Sequence, residues 1–209
     1  MPEQNRVQWV YSATNNQELA DRYDQWAKEY DSELAQDFEW AAPAWTAQIF
    51  ANHVAKDARI LDAGAGTGLV GQELAPLGFA NLVAMDLSPG MLNEARGKGV
   101  YREFHQMVMG DELTFPTNSF DAVISVGVLT LGHAPASSLD ELARVTKTGG
   151  HIVFTLRPDV YEGNGFKEKQ EALESEGLWR LVEVTDRLQV LPKGEPDAYH
   201  QVWVYQITD

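Results

Sequence analysis

The chain is predicted to be an α/β protein: a Rossmann-like, doubly wound, mostly parallel seven-stranded sheet with an antiparallel last strand and a helical cap at its N-terminus. Three observations lead there. The run Arg59-Ile-Leu-Asp-Ala-Gly-Ala-Gly-Thr-Gly68 carries an apolar, strand-like segment straight into an acid and three glycines spaced two apart. From there to Leu156 short apolar runs alternate with helical patterns, which demands crossover connections and buries a parallel sheet between helices. The segments 179–191 and 198–207 are β-rich and separated by a turn, as an antiparallel pair would be.

Each element follows from its own pattern. Between Gln17 and Gln36, Leu19, Tyr23, Trp26, Tyr30 and Leu34 recur at steps of three and four, giving an amphipathic helix with one aromatic stripe. Pro43 suits a first helical position and opens a second helix carrying Trp45, Ile49 and Phe50. Strand 59–63 follows, with Ile60 and Leu61 suited to a buried sheet, and the helical spacing after Gly68 extends to about Leu77. Next come strand 82–85 and a helix opened by Ser88 as cap and Pro89 in its first turn. Strands around 104–109, 120–126 and 151–156, with a helix at 138–145, complete the alternation. A helix over 166–176 leads into the β-rich tail, where Val202 and Val204 alternate with Trp203, Tyr205 and Ile207 as in a strand buried on both faces. Residues 1–209 read as one domain: a cap over 1–56, a core over 57–157, and a helix with hairpin over 158–209.

The glycine turn defines the chemistry. Gly64, Gly66 and Gly68 let the backbone turn sharply and approach a ligand where a Cβ would clash. Strand, turn and helix in succession aim free N–H groups and the positive end of a helix dipole at that ligand. The spacing then selects among ligands. A dinucleotide site needs G-x-G-x-x-G, and here the third glycine comes one residue early, with Leu69 in its place. A phosphate-cradling G-x-x-x-x-G-K-S/T run is absent. Asp62 would repel pyrophosphate but suits a ligand carrying an ammonium or sulfonium. In a doubly wound sheet ligands lie outside the carboxyl ends of the strands, and Asp86 ends the second strand, where a carboxylate accepts both hydroxyls of a ribose.

The pattern Asp62-x-Gly64-x-Gly66-x-Gly68 resembles motif I of the class I S-adenosylmethionine-dependent methyltransferases. Met109-Gly-Asp-Glu-Leu-Thr-Phe-Pro116 is similar to the family stretch whose acid accepts the adenine amine. The run from Ser125 to His133 stands where that family passes the cofactor, with Gly127 allowing close approach and Val128 covering the methionine arm. Arg144-Val-Thr-Lys-Thr-Gly-Gly150 resembles the family's L-K-P-G-G turn, with Thr148 in place of proline. Within the class, Tyr23-Asp-Gln-Trp-Ala-Lys-Glu-Tyr30-Asp31, Val126 to His133, and Glu176-Gly-Leu-Trp179 look most like the Williams-Beuren syndrome region methyltransferase-like group.

The resemblance implies S-adenosylmethionine as cofactor and S-adenosylhomocysteine as its product. It implies a cofactor site made by Tyr23, Tyr30, Asp62, Gly64, Ala65, Gly66, Gly68, Asp86, Leu87, Met91, Gly110, Asp111, Glu112, Ser125, Val126 and Gly127. In relatives, tyrosines of the N-terminal helix fold over the methionine end, where a π face attracts a sulfonium. An aromatic stripe at helical spacing serves core packing equally well. Methyl transfer from a sulfonium is an in-line displacement on an activated electrophile, and orientation alone supplies ~7–11 kcal/mol. A general base is needed only for a protonated acceptor, and His133 is the candidate catalytic residue. Candidates to hold a small, anionic or aromatic acceptor are Trp26, Trp45, His133, Arg157 and Tyr161, with Phe166 nearby.

Composition excludes several other classes. Sixteen basic against 31 acidic residues give a net charge of −15, which opposes a nucleic-acid partner, since phosphate binding draws on clustered Lys and Arg. The absence of cysteine removes disulfides, thiolate metal sites and thiol nucleophiles. The five histidines form no H-x-x-x-H pair, and Ser125-Val126-Gly127 replaces the acid of catechol-type relatives, so a metal-independent reaction is expected. No apolar run approaches the ~18 residues of a membrane span, and the first thirty residues are too polar for a signal peptide. A cytoplasmic protein without a membrane partner follows, with monomer and homodimer both open. So do two alternatives: a non-catalytic binder of the same cofactor, and a methyltransferase acting on a protein.

Overall fold

The computed structural model describes residues 6–208 apart from 131 and 194. Leu131, in the Val126–His133 run, and Gly194, in the turn before the last strand, therefore lie outside the described residues.

Five parallel strands form the centre: β1 (Ile60–Ala63), β2 (Leu82–Asp86), β3 (Tyr101–Gln106), β4 (Phe120–Ser125) and β5 (Thr146–Leu156). They are ordered 3-2-1-4-5, and β8 (Tyr199–Ile207) and then β6 (Trp179–Val184) extend the sheet beyond β5. β8 runs antiparallel to both neighbours, with Phe154 opposite Trp203 and Trp179 opposite Ile207. The short β7 (Leu188–Gln189) also pairs with β8. The expected doubly wound sheet with an antiparallel last strand is present.

Successive residues of β1 point to opposite faces, and each face has its own core. Ile60 joins Leu82, Ala122 and Val204 against α3 (Ala42–His53), α4 (Leu69–Leu74) and α5 (Pro89–Gly97). Leu61 joins Val83, Val123, Ile152 and Tyr205 against α6 (Ser138–Val145), α7 (Pro158–Gly163) and α8 (Phe166–Ser175). Each fully buried aliphatic side chain contributes about 1.5–3 kcal/mol by leaving water, so the run that precedes the glycine turn is held firmly from both sides.

Several boundaries differ from expectation for identifiable reasons. β3 lies at 101–106 rather than 104–109; it is an edge strand whose alternation is blurred by Arg102, Glu103, His105 and Gln106. α4 stops at Leu74 because Pro76 has no N–H to continue the hydrogen-bond ladder, although Ala75 itself still holds helical φ and ψ. The β-rich run 179–191 is divided after Val184, following a register shift between Leu181 and Glu183. Two short helices, α1 (Arg6–Tyr11) and α7, carried too few residues to show periodicity.

The cap is α1, α2 (Asn16–Glu33) and a π-helical turn over Leu34–Phe38. α2 starts where the Asn15 side chain accepts the Glu18 N–H, while Glu18 accepts from Thr14. Its Leu19 and Trp26 pack with Leu34 and Phe38 of the π-helical turn, Val7, Val10 and Leu191 in a third core. Two carboxylates fasten it to the sheet layer. Asp24 accepts from the Ser88 hydroxyl at 2.5 Å and the Gly90 N–H at 2.8 Å, and Asp31 pairs with Thr67 and Lys98. Gly90 is required there, because a Cβ would lie 3.0 Å from the Asp24 Cα.

Candidate cofactor and acceptor site

Between the carboxyl ends of β1, β2 and β4 and the underside of α2 lies a cavity of about 650 Å³, counting the space that opens to solvent. Of the expected cofactor residues, Tyr23, Tyr30, Gly64, Gly66, Asp86, Leu87, Met91, Val126 and Gly127 line it, as do His133 and Val128. Asn16, Leu19, Met107, Val108, Met109 and Ala134 also line it and were not singled out from the sequence. Leu19 reads as plain core in an amphipathic pattern, and the three residues 107–109 were assigned to a strand that in fact ends at Gln106.

The glycine turn works differently from its sequence reading. Its amides do not stand free: Gly64 and Ala65 N–H donate to the Met85 carbonyl, Gly68 N–H donates to Ala65, and Gly66 N–H donates to the Asp86 carboxylate at 2.8 Å. The turn is therefore shaped by its own bonds, and what it offers a ligand is the absence of side chains. Gly64 and Gly66 both have positive φ, and a Cβ on Gly64 would come within 2.2 Å of Val128. Asp86 is 6% exposed. Its other oxygen accepts the Ser88 N–H at 2.9 Å, and burial raises its pKa to about 6 despite these donors.

Asp62, Ala65, Gly68 and Ser125 do not line the cavity. Asp62 is buried beneath the turn, where it accepts the Tyr101 hydroxyl at 2.5 Å, and its Oδ1 meets no partner. Burial lifts its pKa to about 7. Tyr101 in turn accepts the Gly71 N–H at 3.0 Å. Gly71 must lack a side chain, since a Cβ would sit 2.4 Å from the Tyr101 ring. A glycine inside a helix was the sequence signal of this close approach. Ser125 donates to the Ala63 carbonyl and ties β4 to β1. Gly110, Asp111 and Glu112 are exposed, just beyond the wall made by residues 107–109.

A second cavity of about 630 Å³ adjoins the first, sharing Tyr23, Tyr30, Val126 and Gly127 with it. Its other walls include Tyr11, Trp26, Leu34, Trp40, Leu129, Thr155, Glu195 and His200. Of the expected acceptor residues only Trp26 is among these. Trp45 is 39% exposed, because the face of α3 that turns inward carries Ala42, Thr46, Ala47 and Phe50. Arg157 is bonded to Asp159 at 2.9 and 3.0 Å and lies 3.8 Å from Glu195, so its charge is already answered. Tyr161 packs on Trp203 at 4.8 Å, and Phe166 is core. At the junction of the cavities the Tyr23 hydroxyl lies 2.7 Å from His133 Nε2, and Tyr11 meets the same imidazole edge-on at 5.0 Å. Burial raises the pKa of Tyr11, Tyr23 and Tyr30, so all three are neutral phenols. Among the described residues no group of three His, Cys, Asp or Glu side chains converges as a metal site, and no helix is long and apolar enough to cross a membrane.

Comparison with known proteins agrees with this geometry. Residues 61–154 match the family model described as a methyltransferase domain. The chain is 38% identical over 165 residues to human Methyltransferase-like protein 27, covering 75% of the chain and 66% of that protein. It is 45% identical over 98 residues to Demethylmenaquinone methyltransferase of Clavibacter sepedonicus, covering 46% of the chain and 39% of the relative. The chain thus spans less than two thirds of the length of these relatives. The fold is shared with a TehB-like S-adenosylmethionine-dependent methyltransferase from Corynebacterium glutamicum (TM-score 0.64, 19% identity, 90% and 99% of the two chains). It is shared also with the cyclase SpnF (TM-score 0.71, 17% identity, 94% and 98%). The likeness to the Williams-Beuren group read from the sequence is borne out by the human relative. With sheet order, glycine turn and sequence kinship in agreement, the chain belongs to the class I S-adenosylmethionine-dependent methyltransferases.

Proposed function

We propose that this chain, acting as one domain, transfers a methyl group from S-adenosylmethionine to a small-molecule acceptor by metal-independent, in-line displacement. The observation that carries the reading is the pair of adjoining cavities, one faced by the glycine turn and Asp86 and the other by aromatic side chains, meeting at Tyr23, Tyr30, Val126 and Gly127. In this reading Asp86 accepts the ribose hydroxyls, Met91 and residues 107–109 cover the adenine, and Tyr23 and Tyr30 lay π faces beside the sulfonium.

The sulfonium supplies the activated methyl; the protein supplies alignment and exclusion of water. An acceptor that arrives protonated gives its proton to the Tyr23 oxygen while the Tyr23 proton passes to His133 Nε2, 2.7 Å away. S-adenosylmethionine held by these residues would supply the methyl and leave as S-adenosylhomocysteine. Calorimetric titration of the full chain with S-adenosylhomocysteine tests the cofactor half. Saturable binding is expected, and a flat trace on folded protein would overturn it.

A further inference from the structure

The second cavity is walled by rings and by one acid. Tyr11, Tyr23, Tyr30 and Trp40 line it, each only half-buried, and so does Glu195. Among the described residues that line the two cavities there is no lysine or arginine; the acids are Asp86 in the first and Glu195 in the second. We propose that the second cavity takes a primary arylalkyl ammonium ion, its charged head at Glu195 and its ring against Tyr30 and Trp40. That this molecule is the methyl acceptor rests on the methyltransferase reading; that it binds does not.

Charge and shape agree. Arg157 donates to Asp159 at 2.9 and 3.0 Å but comes only within 3.8 Å of Glu195, beyond hydrogen-bond reach. One cation facing two carboxylates leaves a negative charge over, and Glu195 holds the looser end. Its side chain is 18% exposed, so the carboxylate is not sealed inside protein. The Tyr11 hydroxyl senses the imbalance: after burial, Glu195 raises its pKa more than Arg157 lowers it. At His200 the order is reversed, since burial and then Arg157 pull its pKa down to about 4. The two walls therefore differ in sign, and a cationic head belongs at the Tyr11 end. An ammonium has three donors, so it can bond Glu195 and still meet the face of a ring, and cation–π attraction strengthens where water is excluded. The remaining rings favour stacked or edge-on contact with an aromatic guest. Leu34, Leu129 and Leu191 fill the gaps between them with aliphatic surface.

The test is calorimetric titration of the full chain with 3-phenylpropylamine, 3-phenylpropanol and 3-phenylpropanoate, with and without saturating S-adenosylhomocysteine. The amine is expected to bind at least tenfold more tightly than the alcohol, and the carboxylate more weakly than either. Glu195→Gln should bring the amine down to the level of the alcohol and leave the alcohol unchanged. Glu171→Gln, which removes the same charge from the exposed side of α8, should leave the preference intact. Trp40→Ala, which strips a ring from the second cavity alone, should weaken amine and alcohol together. Equal or tighter binding of the alcohol or carboxylate, or no binding of any probe, would overturn the proposal. So would an amine preference that survives in folded Glu195→Gln, or one lost equally in Glu171→Gln, which would assign it to the overall charge of the chain. Should Glu195→Gln not fold, the native ratios and Trp40→Ala decide. Amine selectivity without S-adenosylhomocysteine binding would sink the methyltransferase reading alone. Binding of S-adenosylhomocysteine without amine selectivity would sink this proposal alone.

Discussion

The Tyr23 hydroxyl and His133 Nε2, 2.7 Å apart, join the capping helix α2 to the loop after β4 at the point where the two cavities meet. The bond links residues 110 positions apart in the chain. If it is a proton relay, Tyr23→Phe and His133→Ala should each lower turnover by about 10²-fold. Affinity for S-adenosylhomocysteine should change far less. Undiminished turnover in both variants would remove the relay.

Asp86 is buried with a pKa near 6, and its ionised form accepts ribose hydroxyls more strongly than its protonated form. Cofactor binding should therefore lower that pKa and release a proton when measured near pH 6. Acidifying from pH 7 to 5 should weaken S-adenosylhomocysteine binding by about tenfold, and Asp86→Asn should flatten the dependence. Asp86→Ala should cost ~1–3 kcal/mol of affinity at neutral pH. Calorimetry in two buffers of different ionisation enthalpy reads both effects.

Asp62 has its folded-state pKa raised from 3.8 to about 7, so the native state binds its proton more tightly than the unfolded chain. That contribution to stability is fully present below pH 3.8 and is lost as pH rises through about 7. Asp62→Asn keeps an acceptor for the Tyr101 hydroxyl but carries no charge. Its melting temperature relative to wild type should consequently climb between pH 5 and pH 8, by about 3 °C or more. A gap independent of pH would show that Asp62 does not titrate in this range. Tyr101→Phe should destabilise by about 1–3 kcal/mol, because it strips the partner from both Asp62 and the Gly71 amide.

Asp24 fastens α2 to the start of α5 through Ser88 and Gly90. Losing a capping carboxylate costs about 0.5–2 kcal/mol, so Asp24→Ala should speed amide exchange across residues 16–33. It should also quicken cofactor release. Exchange in β1 and β4, which Asp24 does not touch, should stay as in wild type, and uniform acceleration throughout the chain would point to global destabilisation instead.

The parts legible in the sequence were those set by local rules. The acid and glycines after β1, and the acid ending β2, stand where strand ends must present a ligand site, and Gly64, Gly66 and Asp86 do face the first cavity. The aromatic stripe of α2 was readable as a stripe, but only packing decides that Tyr23 and Tyr30 border both cavities while Leu19 borders the first alone and Trp26 the second alone. His200 and Trp40 gave no signal, since they meet at 5.7 Å only after the last strand returns to the sheet beside β5. Arg157 and Tyr161 were chosen by position in the chain. Asp159 and Trp203, their actual partners, sit where no periodicity could announce them.

The π-helical turn at Leu34–Phe38 separates two kinds of evolutionary freedom. Leu34 within it and Trp40 just after it border the second cavity alone, while the tyrosines one and three turns earlier border both cavities. Insertions or exchanges in that short stretch can remodel the second cavity and leave the first untouched, so paralogues of this chain should diverge there first.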